Sequence, residues 1–166
     1  GHLADLGHKR IGLVRGPDLF RSSAVRGKGF LDALAERGIP LNPAYDFKGA
    51  YTFESGVEAG HALLALETPP TAIFTLNDDM AIGVMQAARD RGLELPRDLS
   101  VVGFDDLPMA ARVWPNLTSV RLPIRDMGRM AAEKLLAPMR GVDPAKMQQP
   151  EVRPALVVRK SAIPAV

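Results

Sequence analysis

Two polar residues follow two uncharged, largely apolar segments of this chain, and both could hydrogen-bond a ligand. Asn77 follows the run 72–76, and Asp105 follows the run 99–104. Such runs are typical of strands buried on both faces of a parallel sheet. Ligands of such sheets bind beyond the carboxyl ends of the strands, where both residues are expected to lie. We therefore predict a site for a small polar molecule at this edge. The structural alternative is that Asn77 caps a helix and Asp105 stabilises a loop.

Arg26 and Tyr51 are further candidates for the same edge of the sheet. Arg26 is expected in the first turns of the helix after the first strand. A guanidinium there can bind a carboxylate, a phosphate or a pair of sugar hydroxyls, although an isolated arginine is more often a solvated surface residue. Tyr51 follows the second strand, where its ring can stack on the apolar face of a ligand or can equally belong to the core.

The paired acids 78–79 and 105–106 allow a different prediction, a Mg²⁺ site for phosphoryl transfer. The chain has no G-x-x-x-x-G-K-[ST] loop and no G-x-S-x-G motif, and its histidines lack metal-ligand spacing. Asp78 and Asp106 are better explained as a cap and a turn residue. We therefore expect no enzyme activity, no metal site and no cofactor.

The elements that must position these residues alternate between strands and helices, with short connections. The predicted strands are 11–14, 45–48, 72–75 and 99–104, and the predicted helices between and after them cover about 22–37, 53–67 and 79–91. This order indicates an α/β fold with a doubly wound parallel sheet flanked by helices. Beyond it we predict a short helix over 107–114, a strand over 117–122, a helix over 124–140 and a final strand over 155–158.

Composition narrows the class of protein. The 166 residues are 46% hydrophobic and 24% charged, an ordinary composition for a globular domain. A net charge of +2 is too small to indicate a nucleic-acid-binding surface. No apolar run is long enough for a membrane span. The chain begins with Gly1, residues 2–7 look like the last turns of a helix that stops at a glycine, and the pattern of a signal peptide is lacking, so we expect the start to be interior to a longer protein.

Several segments together resemble the effector-binding core of the LacI/GalR transcription regulators. They are LGHKRIG at 6–12, RGKGF at 26–30, PTAIF at 70–74, NDDMAIG at 77–83, SVVGFDD at 100–106 and PNLTSV at 115–120. Their order and spacing fit the family along nearly the whole chain. The resemblance implies a periplasmic-binding-protein-like fold of type I, with one subdomain essentially complete and the other only partial.

The resemblance also implies which residues contact the effector. The arginine opening the helix, the asparagine of the N-D-x-M-A segment and the first aspartate of the G-F-D segment correspond to Arg26, Asn77 and Asp105. Tyr51 lies where the family often has an aromatic ring that stacks on the ligand. Specificity varies in the stretch before Arg26, where this chain has Phe20, Arg21 and Ser23.

The same resemblance implies a division of the chain and a dimer. Residues 1–118 would form the carboxyl-side subdomain, 119–152 would cross into the other subdomain, and 153–166 would return as a strand and tail. Because most of that other subdomain lies outside this sequence, we expect the helix 124–140 to pack abnormally, swap to another chain or be poorly ordered. A homodimer would form through the carboxyl-side subdomain, with Met80, Met85 and Trp114 as contributors that could equally be core.

Three functions follow as expectations. The first is a cytoplasmic ligand sensor whose sugar-like or purine-like effector changes the affinity for operator DNA, bound by a helix-turn-helix absent from this sequence. A site shared between two subdomains would be incomplete here, so this chain alone should bind effector weakly. The second is a periplasmic sugar-binding protein of transport or chemotaxis, which shares the fold. The third is a Mg²⁺-dependent flavodoxin-like enzyme.

Overall fold

A six-stranded sheet forms the centre of the molecule in a computed structural model, which describes residues 1–147 and 151–165. The strands are β1 (Ile11–Arg15), β2 (Asp46–Lys48), β3 (Ala72–Thr75), β4 (Ser100–Asp105), β5 (Thr118–Arg121) and β6 (Ala155–Val157). Their order is β2-β1-β3-β4-β5-β6, and β1 to β5 are parallel. The predicted doubly wound sheet is confirmed, but it is mixed because the edge strand β6 runs antiparallel to β5.

Helices cover both faces of the sheet. They are α1 (His2–Asp5), α2 (Arg21–Ala35), α3 (Phe53–Leu64), α4 (Asp78–Asp90) and α5 (Ile124–Leu136). Residues of α3 and α4 share one buried cluster, and residues of α1 and α2 share another. Neighbouring β4 residues divide between them, Val101 joining the first cluster and Val102 the second, because successive strand side chains point to opposite faces.

The helices α3 and α4 pack against each other at very short range. A Cβ added at Gly83 would lie 2.7 Å from the Val57 nitrogen and would also collide with the Phe53 carbonyl oxygen. Only a glycine allows the two backbones to approach this closely. The contact fixes where α4 begins, and α4 begins at the polar edge of the sheet.

The predicted helix over 124–140 is shorter in the structure. The α-helix ends at Leu136, and a 3₁₀ turn, Pro138–Arg140, follows it. The break is expected because Pro138 has no N–H with which to continue the helical hydrogen bonds. No residue of α5 is buried, and Ile124 and Leu135 are 60% and 79% exposed.

The predicted boundary at 118/119 falls inside a strand. Within β5, Ser119 pairs with Gly103 and Val120 pairs with Phe104 of β4. The residues 119–121 therefore belong to the sheet. The assignment of residues to two subdomains of a larger protein stays a prediction.

Two of the three residues predicted at a dimer surface are core residues. Met80 and Met85 have 0% exposure and pack in the cluster of α3 and α4. Since a side chain with no exposed surface cannot contact a second molecule, the prediction is wrong for both. Trp114 is 69% exposed, so it stays a candidate.

An apolar groove opens on the face of the sheet that carries α2. It encloses about 430 Å³, and Phe30, Phe74, Val120 and Leu156 are among its lining residues. Within the described residues, none of the helices is both long enough and apolar enough to cross a membrane.

Candidate functional site

Arg26 lies at the carboxyl edge of the sheet, where its guanidinium is held by three contacts. One terminal nitrogen donates to the Leu76 carbonyl at 2.6 Å, and the other lies 3.1 Å from Asp105 Oδ1. The group also stacks over the Phe104 ring, 4.0 Å from its centroid. A cation over an aromatic face is stabilised by the negative charge density of the ring. The predicted pair of Arg26 and Asp105 is therefore brought together and partly shielded from solvent.

Asp105 reaches Arg26 from an unusual backbone conformation. Its φ is 109°, and that of Asp106 is 53°. Positive φ is uncommon for residues other than glycine, and such strained residues concentrate at functional sites. Burial raises the pKa of the Asp105 carboxyl above its usual value, although the Arg26 guanidinium acts in the opposite direction.

Asn77 is the N-cap of α4, which is the role predicted as the alternative to ligand binding. Its side-chain oxygen accepts from the Met80 N–H at 3.0 Å, and its side-chain nitrogen donates to the Tyr51 carbonyl at 2.9 Å. Asn77 is 7% exposed. It therefore ties the start of α4 to the loop after β2, which leaves one amide hydrogen and one lone pair of the side-chain oxygen to serve a ligand.

Tyr51 faces the end of β1. Its φ of 63° is the third positive value among the described non-glycine residues. A Cβ at Gly16 would overlap the Tyr51 ring, so the glycine makes room for it. The tyrosine oxygen is buried without a hydrogen-bond partner among the described residues. The centroids of the Tyr51 and Phe20 rings are 5.9 Å apart. The two rings form an aromatic wall beside the polar residues.

Three candidates lie in the stretch before Arg26, and they differ in their exposure to solvent. Phe20, at the N-cap of α2, is 50% exposed, and Arg21 begins the helix on the surface. Ser23 is 3% exposed, and its hydroxyl donates to the Gly16 carbonyl at 2.9 Å. Ser23 therefore holds the loop after β1, whereas Phe20 and Arg21 are accessible to a ligand.

A buried hydrogen-bond network, which the sequence analysis did not predict, holds the two residues that follow Asp105. Asp78 has 0% exposure; Ser119 Oγ donates to its Oδ1 at 2.6 Å, and the Leu107 N–H donates to its Oδ2 at 2.7 Å. The Ser119 oxygen in turn accepts from the Asp106 N–H at 3.0 Å. A Cβ at Gly103 would collide with Asp78 Oδ1. Asp78 is therefore a buried acceptor and not the cap of α4.

Asp106 is locked by two arginines. Arg121 Nε and Arg159 Nη2 each donate to one of its oxygens at 2.6 Å, and the Asp106 side chain is 4% exposed. Burial acts to raise the pKa of Asp106, but these ion pairs outweigh it and hold the pKa below its usual value. The turn after β4 is thus fixed at its backbone and at its side chain. Asp106 has the structural role that was predicted.

Sequence reasoning missed Phe104, Ser119 and Arg159. Phe104 carries a weak signal, because an aromatic at a strand end beside a polar site is a common wall of a pocket. Ser119 and Arg159 carry none, since their partners are 41 and 53 residues away in sequence.

A family model for the periplasmic binding protein-like domain matches residues 1–162, nearly the whole chain. The chain belongs to the periplasmic binding protein-like domain family. The sheet order, with the polar edge at the carboxyl ends of β3 and β4, agrees with this assignment.

Relatives of this periplasmic binding protein-like domain include two repressors. A probable HTH-type transcriptional repressor ExuR of Bacillus subtilis is 44% identical over 131 residues, covering 79% of this chain and 39% of the relative. The HTH-type transcriptional repressor CytR of Escherichia coli is 40% identical over 140 residues, covering 84% and 41%. The predicted resemblance to LacI/GalR regulators is confirmed. The chain spans about two fifths of the length of these relatives.

Solved structures of LacI-family regulators match the domain closely. One from Chloroflexus aggregans has a TM-score of 0.89 at 41% identity, covering 96% of this chain and 57% of that one. A sugar-binding regulator of Escherichia coli in complex with phosphate has a TM-score of 0.91 at 34% identity, covering 99% and 58%. A dimeric lac repressor has a TM-score of 0.89 at 30% identity, covering 99% and 59%.

Proposed function

We propose that this chain is the effector-binding part of a LacI-type transcription repressor and that its effector is a neutral, hydroxyl-rich molecule of the sugar class. The observation that carries the proposal is the ion pair of Arg26 and Asp105 beside an aromatic wall. A guanidinium can donate to sugar hydroxyls and a neighbouring carboxylate can accept from them, and an aromatic ring can cover the apolar face of a sugar.

The charge of the site favours a neutral effector over an anion. Asp105 neutralises Arg26 at 3.1 Å, and the exposed Asp79 lies close enough to add to the negative potential at Asp105. An anionic effector would have to overcome both carboxylates. A purine-like effector is the second candidate, because the rings of Phe20 and Tyr51 can also stack on a base.

The rest of the regulator is part of the same proposal. We expect operator DNA to be bound by a helix-turn-helix elsewhere in the protein, in the cytoplasm. The names of the relatives favour a repressor over a transport protein or a Mg²⁺-dependent enzyme. We expect a homodimer, for which the described surface offers Met109 and Trp114, 47% and 69% exposed, in place of the buried methionines.

A thermal-shift screen of the full-length protein tests the effector class. The panel contains glucose, cellobiose, glucose 6-phosphate and adenosine. A ligand that binds only the folded state adds about 2.7 kcal/mol of stability at a hundredfold excess over Kd. We expect a neutral sugar to raise Tm, and we expect Arg26→Ala and Asp105→Ala to abolish the increase.

The matched control is Lys28→Ala, which removes an exposed cation two residues along the same helix. It should leave the sugar response intact. Stabilisation by glucose 6-phosphate but by neither neutral sugar would contradict the charge argument. Stabilisation by adenosine alone would favour the purine-like class. A response that survives Asp105→Ala would remove this site from the proposal.

A further inference from the structure

The turn after β4 is held in its strained form by groups from distant parts of the chain. Two successive residues, Asp105 and Asp106, have positive φ. The backbone N–H of Asp106 donates to Ser119 Oγ, and the backbone N–H of Leu107 donates to Asp78 Oδ2. A conformation of this kind persists only when the surrounding structure over-determines it.

We propose that Asp78 is the positioning residue of the effector site: its buried carboxylate holds the turn that directs Asp105 at Arg26. Ser119 is its intermediary, because its hydroxyl donates to Asp78 and its oxygen accepts from the Asp106 N–H. The inference rests on the proposed function only in treating Asp105 as an effector contact.

The two hydrogen bonds to Asp78 suit its anionic form. Both carboxylate oxygens accept, one from a hydroxyl and the other from an amide N–H. A carboxylate can accept at both oxygens, whereas a carboxylic acid or an amide presents a donor at one of them. A neutral group at this position must therefore lose or reverse one of the two bonds, and both lose the assistance of the negative charge, so its hold on the turn is weaker.

The space around Asp78 is shaped for the carboxylate. Gly103 leaves open the volume that Oδ1 occupies, and α4 places the aspartate in its first turn. The helix N-terminus favours a negative charge there. The Asp78 side chain has no exposed surface and faces Gly103 of the sheet and the turn.

The substitution Asp78→Asn in the full-length protein separates positioning from general stability. Hydrogen exchange of the Asp106 and Leu107 amides is measured at pH 7.5, together with urea unfolding. We expect exchange of both amides to become about tenfold faster, because a charge-assisted bond is lost or replaced by a weaker one. The midpoint of unfolding should not fall, since the variant no longer buries a charge.

Ser161→Ala is the control. The Ser161 hydroxyl donates to the Val101 carbonyl and accepts from the Thr118 N–H, so its loss weakens the same sheet away from the turn. It should lower the midpoint without accelerating exchange at the turn selectively. If Asp78→Asn behaves as Ser161→Ala does, or leaves both amides unchanged, Asp78 is not a positioning residue.

A pH profile gives the second readout. Burial raises the pKa of Asp78 to about 6, so protonation should imitate Asp78→Asn. Wild-type protection of the two amides, corrected for intrinsic exchange, should fall as the pH falls through this value, and the variant should show no such change. The charged groups around Asp78 are Asp105, with Arg26 opposite it on α2, and Asp106, with Arg121 on β5 and Arg159 after β6.

Asp105→Asn separates the two carboxyls that could titrate. If the pH dependence disappears in Asp105→Asn but persists in Asp78→Asn, Asp105 is the group that titrates and the proposal fails. None of these measurements requires an effector. A screen without hits would therefore count against the proposed function and not against the role of Asp78.

Discussion

The carboxylate of Asp78 is fully buried, and its burial has a thermodynamic cost. Desolvation raises its pKa to about 6, while the Ser119 hydroxyl and the Leu107 N–H act in the opposite direction. The folded chain therefore binds more protons than the unfolded chain between the usual pKa of an aspartate and about 6. The stability that Asp78 contributes is present below this interval and is lost as the pH rises through it.

The stability of the wild type relative to Asp78→Asn should fall by about 1 kcal/mol between pH 5 and pH 7.5. The comparison is needed because burial lowers the pKa of His2 and His8, which makes stability rise with pH in the same range. Urea unfolding of both proteins at the two pH values measures the difference. An equal difference at both values would show that Asp78 does not titrate in this range.

At the scale of elements, α3 and α4 act as one packed unit that places the polar edge. Gly56 and Gly83 allow the two backbones to approach, and Asn77 joins the start of α4 to the loop that carries Tyr51. A displacement of α4 would therefore move Asn77 and Asp78 together. The packing of these helices is in this way a condition for the geometry of the site.

Gly83→Ala should cost on the order of 2 kcal/mol of unfolding free energy, because the added methyl meets backbone atoms of α3 that cannot rotate away. Urea unfolding measures the loss. Gly29→Ala is the matched control: it lies within α2 on the surface, with nothing within 4 Å of the added Cβ. It should leave stability unchanged or raise it by about 0.5–1 kcal/mol. Equal effects of the two substitutions would contradict the close approach.

At the scale of the whole molecule, two apolar surfaces lie open in the described residues. One is α5, none of whose residues is buried, and the other is the groove beside α2. Exposed apolar surfaces of this kind mark contacts with other protein segments or molecules. The expectation that α5 lacks its partner agrees with this exposure, while its three predicted consequences, abnormal packing, swapping and disorder, stay predictions.

Leu135→Ser distinguishes an exposed helix from one that is covered in a longer protein. Leu135 is 79% exposed, so in the 166-residue chain the substitution should change the unfolding free energy by less than about 0.5 kcal/mol. In the full-length protein, where we expect the helix to be covered, it should cost about 2 kcal/mol. Chemical denaturation of both lengths gives the comparison. A negligible effect in both would mean that the leucine faces solvent in the complete protein as well.

Sequence by itself determined the layout of this protein. Uncharged apolar runs over 72–76 and 99–104 located β3 and β4, and the polar residues after them marked the edge where Arg26 and Asp105 meet. These patterns are readable because burial of a strand on both faces excludes charge along its whole length. The same reasoning located the crossover helices from their apolar spacing.

Only the tertiary structure decided how the edge is built. An apolar helical stripe does not reveal whether it faces the core or a partner, so the burial of Met80 and Met85 depended on the packing of α4. The direction of Asp105 depended on Asp78 and Ser119, which lie 27 and 14 residues away along the chain. Local sequence patterns predict which side of each segment is buried. The conformation of a strained turn depends instead on contacts with residues distant in sequence, and these contacts form only when the sheet assembles.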